Sequence, residues 1–368
     1  MTLLIRKKTT EDYLKKISGE AYGTLSNKTM TVKTFSRFVQ EKYQADPEKI
    51  CEELLGIKKQ EGEDEFISSL YDMLQSWINW NIENKNAPYT IQTRFSNLRE
   101  YLYHLGIRIN LQDVKQILKF PKRNKEERYP LKKSELRDII LAQSRRPKRQ
   151  ALYLACSSSG MRIGEALSIR KSDLDFFGER IIVRIRAETT KTKQARTTFL
   201  SKECTEKLNT YVKTLKDDDL VFTDAKGKDP DTLEQNALRG ALIRLNLDQK
   251  YSTNGFCKIT SHSFRAYFFT AAARKHGENY AHKLTGHGGY LMQYDRMTDE
   301  EKMKMYIELE PDLVVFEQTR NELEIKRLKE ENESISELRA EVRKLREFQA
   351  QQDKKILDNM REEGVIPR

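Results

Sequence analysis

A basic stretch interrupted by prolines divides the chain into two parts. Residues 121–150 contain eleven Lys and Arg against four Asp and Glu, together with Pro121, Pro130 and Pro147. Proline lacks a backbone donor and clashes with the preceding helical turn, so a helix seldom continues through it. We therefore predict a basic linker over residues 121–130 between two domains. Four of its side chains are expected to contact an anionic partner: Lys122, Arg123, Lys125 and Arg128.

The composition leaves several kinds of partner open. The 368 residues include 67 Lys and Arg against 56 Asp and Glu, a formal net charge of +11. This excess favours nucleic acid, an anionic membrane surface or an acidic protein as partner. Apolar runs are too short for a spanning helix or a signal peptide, and the four cysteines lie far apart without a CxxC pair. We expect a reduced, cytoplasmic protein without a metal site.

The first part of the chain predicts helices. Leu70, Leu74 and Ile78 recur at helical spacing. We expect residues 26–120 to form a small helical domain. Residues 1–25 are basic and lack a clear period, so we expect an arm there.

The second part predicts mixed structure. Residues 180–185 and 196–200 are rich in β-branched and apolar residues and are separated by a polar turn, which is typical of two paired strands. The remaining segments of residues 131–310 predict helices, and no strand–helix alternation indicates a parallel sheet. The expected fold class is mainly α with a small antiparallel β-sheet.

The last part of the chain predicts one long helix. Residues 316–363 are rich in Glu, Lys, Arg and Gln, and neither Gly nor Pro occurs after residue 316 in this range. Apolar residues recur every three or four positions, with Asn332 in the same series, which indicates a coiled-coil seam with one stammer. Self-association is the favoured interpretation, and a single amphipathic helix folded back on the second domain is the alternative.

Short motifs in the second part could bind a phosphate. Arg162 follows the Gly160 turn at a helix start, and Glu165 is near enough to hold its guanidinium. Lys191 and Lys193 lie at the tip of the predicted hairpin, where an ammonium could donate a proton. Taken singly, an Arg/Glu pair and a cationic turn are common surface features.

A second set of motifs lies nearer the C-terminus. His262 and Arg265 share one face of a predicted helix start. His287 follows in Leu-Thr-Gly-His-Gly-Gly, and Tyr294 comes seven residues later. A lone histidine or tyrosine is more often structural than catalytic, so the interpretation depends on the whole set.

The ordered set of Arg, hairpin Lys, His-x-x-Arg, Gly-His and Tyr resembles the tyrosine recombinase (phage integrase) family. The resemblance covers about residues 131–310 and, more loosely, the helical part before it. Three segments look most like archaeal integrases of mobile elements: Arg265–Thr270, Gly286–Arg296 and Glu310–Leu313.

This resemblance implies a site-specific DNA recombinase that works through a 3′-phosphotyrosyl intermediate without cofactor, metal or ATP. It implies a core-binding domain and a catalytic domain closing around duplex DNA, and a homo-tetramer on two duplexes. A nucleoid-associated location follows from such a substrate. The implied catalytic residues are Arg162, Lys191, His262, Arg265, His287 and the nucleophile Tyr294, with Glu165 supporting them and Lys193 contacting DNA.

Several assignments stay open. Tyr294 lies nearer to His287 than the family's tyrosine usually does, so Tyr290 and Tyr306 are alternatives. Lys193 is the alternative to Lys191 as general acid. The same residues would also serve a type IB topoisomerase-like or telomere-resolving enzyme, and a DNA-binding protein with an inactive site is the non-enzymatic alternative.

Overall fold

The computed structural model describes residues 8–124, 126–177, 179–224, 229–286 and 296–362. The chain forms two compact units, residues 1–126 and 127–368, each with its own apolar core. The division falls inside the segment that we predicted to be the linker.

The first unit is helical. Its core is built from large side chains that recur at helical spacing, among them Phe35, Leu74, Trp77 and Leu98, all fully buried. Each helix buries one apolar face against the others. The helices are α1 Thr10–Ile17, α2 Tyr22–Tyr43, α3 Pro47–Gln60, α4 Glu63–Glu83, α5 Pro88–His104 and α6 Leu111–Ile117.

The N-terminal residues differ from the expected arm. The Thr9 hydroxyl caps α1 by accepting the Asp12 N–H at 3.2 Å. Tyr13 and Ile17 are buried in the core of this unit, and the two rings of Tyr13 and Tyr101 lie 5.1 Å apart. A helix of only eight residues with two buried positions is too short to produce a clear period, so the arm interpretation was wrong for residues 10–17.

The second unit combines nine helices and one sheet within its described residues. Its helices are α7 Lys133–Leu141, α8 Pro147–Ser159, α9 Ile163–Leu167, α10 Lys202–Asn209, α11 Pro230–Arg244, α12 Ser261–His276, α13 Glu278–Thr285, α14 Asp299–Leu313 and α15 Glu317–Glu362. Short 3₁₀ turns cover Lys171–Asp173, Ala187–Thr189 and Val212–Thr214. The sheet is β1 Leu174–Phe177, β2 Arg180–Ile185 and β3 Arg196–Leu200.

All strand pairs are antiparallel, in the order β1-β2-β3. Val183 pairs with Leu174 on one side and with Thr198 on the other. The predicted strands β2 and β3 have the expected bounds, and the mainly α fold class with a small antiparallel sheet is confirmed. Strand β1 was not predicted, because Leu-Asp-Phe-Phe is too short to establish an alternation.

Helix α8 passes through the middle of this unit. Every residue from Gln150 to Ser159 is buried. Pro147 begins the helix instead of interrupting it, since proline at the first helical position loses no hydrogen bond. The helix ends at Gly160, whose φ of +67° is in the left-handed region. This turn delivers the following residues to the site described next.

No helix in the described ranges is long and apolar enough to span a membrane. Those same ranges contain no group of three or more His, Cys, Asp or Glu side chains placed to hold a metal ion.

Candidate active site

Arg162 and Glu165 form the first part of the site. Arg162 immediately precedes α9, and its Nη1 donates to Glu165 Oε1 at 2.8 Å while its backbone N–H donates to Oε2 at 2.9 Å. The Glu165 side chain is only 3% exposed, whereas that of Arg162 is 24% exposed. The buried carboxylate therefore fixes the guanidinium of Arg162 at a solvent-accessible edge.

Arg196 approaches the same carboxylate from strand β3. Its Nη2 donates to Glu165 Oε2 at 2.6 Å, and its Nε donates to the Leu284 carbonyl at 2.9 Å. Burial would raise the pKa of Glu165, but hydrogen bonds and charge from Arg196, and then from Arg162, hold that pKa below its usual value. Arg196 thus joins α9 to the end of α13.

Arg265 connects two further backbone segments. It lies in α12 and is 2% exposed, and its guanidinium donates to the carbonyls of Gly160 and Thr285, the latter at 2.6 Å. Burial lowers the pKa of Arg265 to about 10, and the charge of Arg162 adds to this shift. Arg265 thus joins the Gly160 turn, two residues before Arg162, to the end of α13.

His262 lies in the first turn of α12, three residues before Arg265. Partial loss of hydration lowers the pKa of His262, and the charges of Arg265, Arg162 and Arg128 lower it further. The imidazole is consequently neutral at pH 7 and able to accept a proton.

Lys191 and Lys193 lie in the turn between β2 and β3, and both are exposed. Lys193 has a φ of +54°, and its Nζ is 3.4 Å from the Glu188 carbonyl oxygen. No hydrogen bond or ion pair joins Lys191 to another described residue. Of the two ammonium groups, that of Lys191 is the less constrained by its own turn.

The charges in this arrangement suit one phosphodiester. Arg162, Arg196 and Arg265 contribute three positive charges and Glu165 one negative charge, which leaves an excess of two. Guanidinium groups bind phosphate oxygens through a fixed fork of donors. The site can therefore stabilise the charge that develops on a phosphate during transfer.

A family comparison agrees with this geometry. The model of the phage integrase family matches residues 107–294, which is just over half of the chain. The chain belongs to the phage integrase family. It is a site-specific DNA recombinase of the tyrosine class.

Solved structures with the same fold include lambda integrase. A lambda integrase dimer bound to a COC′ core site is 16% identical, with a TM-score of 0.52 over 78% of this chain and 97% of that chain. A lambda integrase tetramer bound to a Holliday junction is 16% identical, with a TM-score of 0.51 over 78% of each chain. A search of curated protein sequences gives no match. At these identities the structural similarity concerns the fold alone.

Of the catalytic residues predicted from the sequence, the structure describes Arg162, Lys191, His262 and Arg265, together with Glu165. Arg162 is held by Glu165, Arg265 donates to the carbonyl of Gly160 two residues before Arg162, and His262 lies one turn before Arg265 on α12. His287, Tyr290 and Tyr294, and Lys125 of the linker, lie outside the described residues. Gly286, the last described residue before that segment, packs against Arg196: a Cβ at Gly286 would lie 2.9 Å from Arg196 Nη1.

Tyr306 is unsuited to act as the nucleophile. Its side chain is fully buried in α14, and its hydroxyl donates to the Ser158 carbonyl at 2.9 Å. Burial, together with the charge of Glu310, raises the pKa of Tyr306 well above its usual value. This geometry argues against Tyr306 and leaves Tyr294 and Tyr290 as the candidates.

Arg196 was missed as a site residue. The sequence indicates only that Arg196 begins a strand, because it lies 31 positions after Glu165 and no local spacing connects the two. Its role in positioning Glu165, and through it Arg162, becomes visible only in the tertiary structure, where β3 lies beside α9.

The turn at Gly160 offers a test of how tightly the site is built. A Cβ at Gly160 would lie 2.4 Å from Phe268 Cδ1 and 2.8 Å from Thr285 Cγ2, and φ is +67°. We expect Gly160→Ala to lower the free energy of unfolding by about 2–4 kcal/mol through strain and overpacking. Gly164→Ala is the control, since no atom lies within 4 Å of its Cβ position. Urea denaturation measures both, and equal midpoints for the two variants would contradict the expectation.

Proposed function

We propose that this recombinase cleaves DNA with Tyr294 as nucleophile while Arg162 and Arg265 bind the scissile phosphate. The tyrosine oxygen attacks phosphorus, and the bond from phosphorus to the 5′-oxygen breaks. The product is a 3′-phosphotyrosyl link, which retains the bond energy for rejoining. A 5′-hydroxyl from a second duplex then attacks this link and releases the tyrosine, so strand exchange needs no net energy input.

Three residues are proposed to move or hold protons in these steps. Lys191 protonates the leaving 5′-oxygen, and His262 accepts the tyrosine proton in its neutral form. His287 donates a hydrogen bond to the phosphate. Glu165 and Arg196 hold Arg162 in place without touching DNA.

One observation carries this proposal. The buried Glu165 carboxylate binds Arg162 and Arg196 together, and Arg265 is anchored on Gly160 and Thr285, beside both elements. The three guanidinium groups are thus held in place by a buried carboxylate and by backbone carbonyls, whereas the cations of a solvated surface patch have no such partners. Gly286, which packs against Arg196, is the last described residue before Tyr294, so the chain lies at this cluster of cations eight residues before the proposed nucleophile.

The experiment that tests the proposal is covalent trapping. The full chain is incubated with a labelled duplex that spans an attachment repeat of its element and carries a nick beside the cleavage position. EDTA is present and ATP is omitted. We expect a protein–DNA adduct that is mapped to a tyrosine, and exchange of strands between two duplexes when the nick is absent. Relaxation of supercoiled DNA without exchange, or no tyrosine-dependent adduct, would contradict the proposal.

The role of Lys191 can be tested with a modified leaving group. Lys191→Ala should slow cleavage by about 10²–10⁴-fold, the usual contribution of a general acid. A substrate with sulfur in place of the bridging 5′-oxygen should restore most of this rate, because a thiolate leaves without a proton. Lys193→Ala is the matched control: at protein concentrations that saturate the DNA, so that loss of its phosphate contact does not limit binding, it should cleave both substrates at close to the wild-type rate. If Lys193→Ala is the slow variant instead, and the sulfur substrate restores its rate, Lys193 is the general acid.

Sequence-independent contacts to DNA are proposed for the linker and the hairpin. Lys122, Arg123 and Arg128 are exposed, and the Arg123 guanidinium lies 4.8 Å from the Tyr89 ring centroid. With Lys125 and Lys193, these residues would bind phosphates and make the affinity fall steeply with salt. We propose residues 26–120 as the core-binding domain and residues 131–310 as the catalytic domain. Four protomers on two duplexes, and an association with the nucleoid, complete the proposal.

Self-association through the C-terminal helix is also proposed. Helix α15 extends over 46 residues, and its later part has an exposed apolar stripe. Such a stripe favours a coiled coil over the alternative of a helix folded back on the second unit.

A further inference from the structure

Most of helix α15 is not covered by the described part of the chain. Its start is anchored, since Leu323 is buried and Glu203 accepts the backbone N–H groups of Val315 and Phe316 at 3.0 and 2.7 Å. Every residue from Glu324 to Gln352 is exposed. Seven large apolar side chains in this part are 46–61% exposed: Ile325, Leu328, Ile335, Leu338, Val342, Leu345 and Phe348.

We propose that residues 325–349 pair with the same residues of a second copy as a parallel, in-register, two-stranded coiled coil that forms without DNA. The inference rests on the self-association part of the proposed function and is independent of the catalytic assignments. It adds the number of strands, their direction and their register.

The residue types along the seam favour two strands. Side chains pack differently at heptad positions a and d of a coiled coil. β-branched residues at a and leucine at d favour a parallel dimer. Ile335 ends the first heptad series at d and begins the second at a, which is the position of the stammer. The a positions hold Ile325, Asn332, Ile335, Val342 and Gln349, and the d positions hold Leu328, Leu338 and Leu345.

Asn332 favours one register. An asparagine at an a position lowers stability unless it meets a polar partner in the seam. In a parallel, in-register pair it faces Asn332 of the second copy, and the two amides hydrogen-bond to each other. A shifted or reversed pair would bury the amide against an apolar side chain.

The charges beside the seam favour the parallel direction. In a parallel pair, g of one helix faces the following e of the other, so Glu324 meets Lys329 and Glu341 meets Arg346. In an antiparallel pair, e faces e and g faces g, which would place like charges together. None of these four side chains has an ion pair within the described part of the chain, so all four charges are available to a partner.

This geometry has a consequence for assembly. The coil begins directly where α15 leaves the catalytic unit, and two ion pairs hold that junction: Lys202–Glu322 at 3.1 Å and Lys326–Glu179 at 3.4 Å. Two catalytic units are therefore connected without a flexible linker. Protomers would reach DNA as pairs, and a tetramer would be a pair of such dimers.

Cysteine cross-linking of the full chain tests the arrangement. Cys257 is first replaced by serine, because the other three cysteines are buried. Without DNA, Leu345→Cys should give a disulfide-linked dimer under mild oxidation, since d positions of a parallel pair face each other. The matched control is Arg343→Cys at the outward b position, which should stay largely unlinked.

A mixed experiment separates the two directions. Leu328→Cys and Leu345→Cys chains are combined, with one carrying a size tag. A parallel pair holds these positions about 25 Å apart along the axis, so only same-variant disulfides are expected. A mixed disulfide would indicate an antiparallel pair and overturn the inference.

Light scattering completes the test. The wild-type chain should have twice its mass of 43.3 kDa at micromolar concentration without DNA, and Leu338→Glu should be a monomer. A monomeric or tetrameric wild type would overturn the inference even if the covalent DNA adduct still forms. A dimer that forms no adduct would support the coil and contradict the proposed chemistry instead.

Discussion

Replacing Tyr294 by phenylalanine is expected to abolish the covalent adduct with nicked DNA. The variant lacks the oxygen that forms the bond to phosphorus, so no phosphotyrosyl link can form at this position. We expect a loss of cleavage on the order of 10⁴-fold or more. DNA binding should change little, because a single phenolic hydroxyl adds little to an affinity that phosphate contacts dominate. Gel shift and adduct yield are measured on the same duplex.

Tyr290→Phe is the matched control, since it removes the same hydroxyl four residues earlier. This variant should form the adduct at close to the wild-type rate. An adduct formed by Tyr294→Phe, together with its loss in Tyr290→Phe, would transfer the nucleophile to Tyr290. If the covalent adduct still forms in both single variants, neither Tyr294 nor Tyr290 is the nucleophile.

Local patterns predicted the parts of the fold that depend on neighbours in sequence. Strands β2 and β3 were predicted with their observed bounds, because each is a short apolar run beside polar turn residues. Helix α9 was also expected, since a glycine turn precedes it. In contrast, α4 buries Leu70, Leu74 and Ile78 as predicted, but Ile82 on the same stripe is 44% exposed. Periodicity gives the buried face, and tertiary contacts decide where burial stops.

In the candidate site, too, only residues close together in sequence could be paired from the sequence. Arg162 immediately precedes the short helix that contains Glu165, and His262 and Arg265 are three residues apart on α12, so local spacing was enough to pair each of them. The order of the motifs along the chain carried the family resemblance, and the resemblance implied their roles. Arg196 could not be found in this way, because a strand from another part of the fold carries it to Glu165.

Arg162→Ala should remove much of the charge stabilisation while leaving the fold intact. Glu165 keeps its bidentate contact with Arg196, so loss of Arg162 does not leave a buried carboxylate without a partner. We expect the single-turnover cleavage rate to fall by about 10²–10³-fold, as when one donor to a developing anionic charge is removed.

Two further variants show how much of the lost cleavage rate is due to the positive charge of Arg162 and how much to the geometry of its donors. Arg162→Lys retains the charge but not the planar fork of donors, so it should recover only part of the rate. Arg170→Ala removes an arginine whose ion pair with Asp218 is exposed, and it should cleave at close to the wild-type rate. Full activity of Arg162→Lys would mean that positive charge alone is sufficient at this position. Full activity of Arg162→Ala, with an unchanged unfolding midpoint, would remove Arg162 from the phosphate site and leave the buried Glu165–Arg196 pair as structural support.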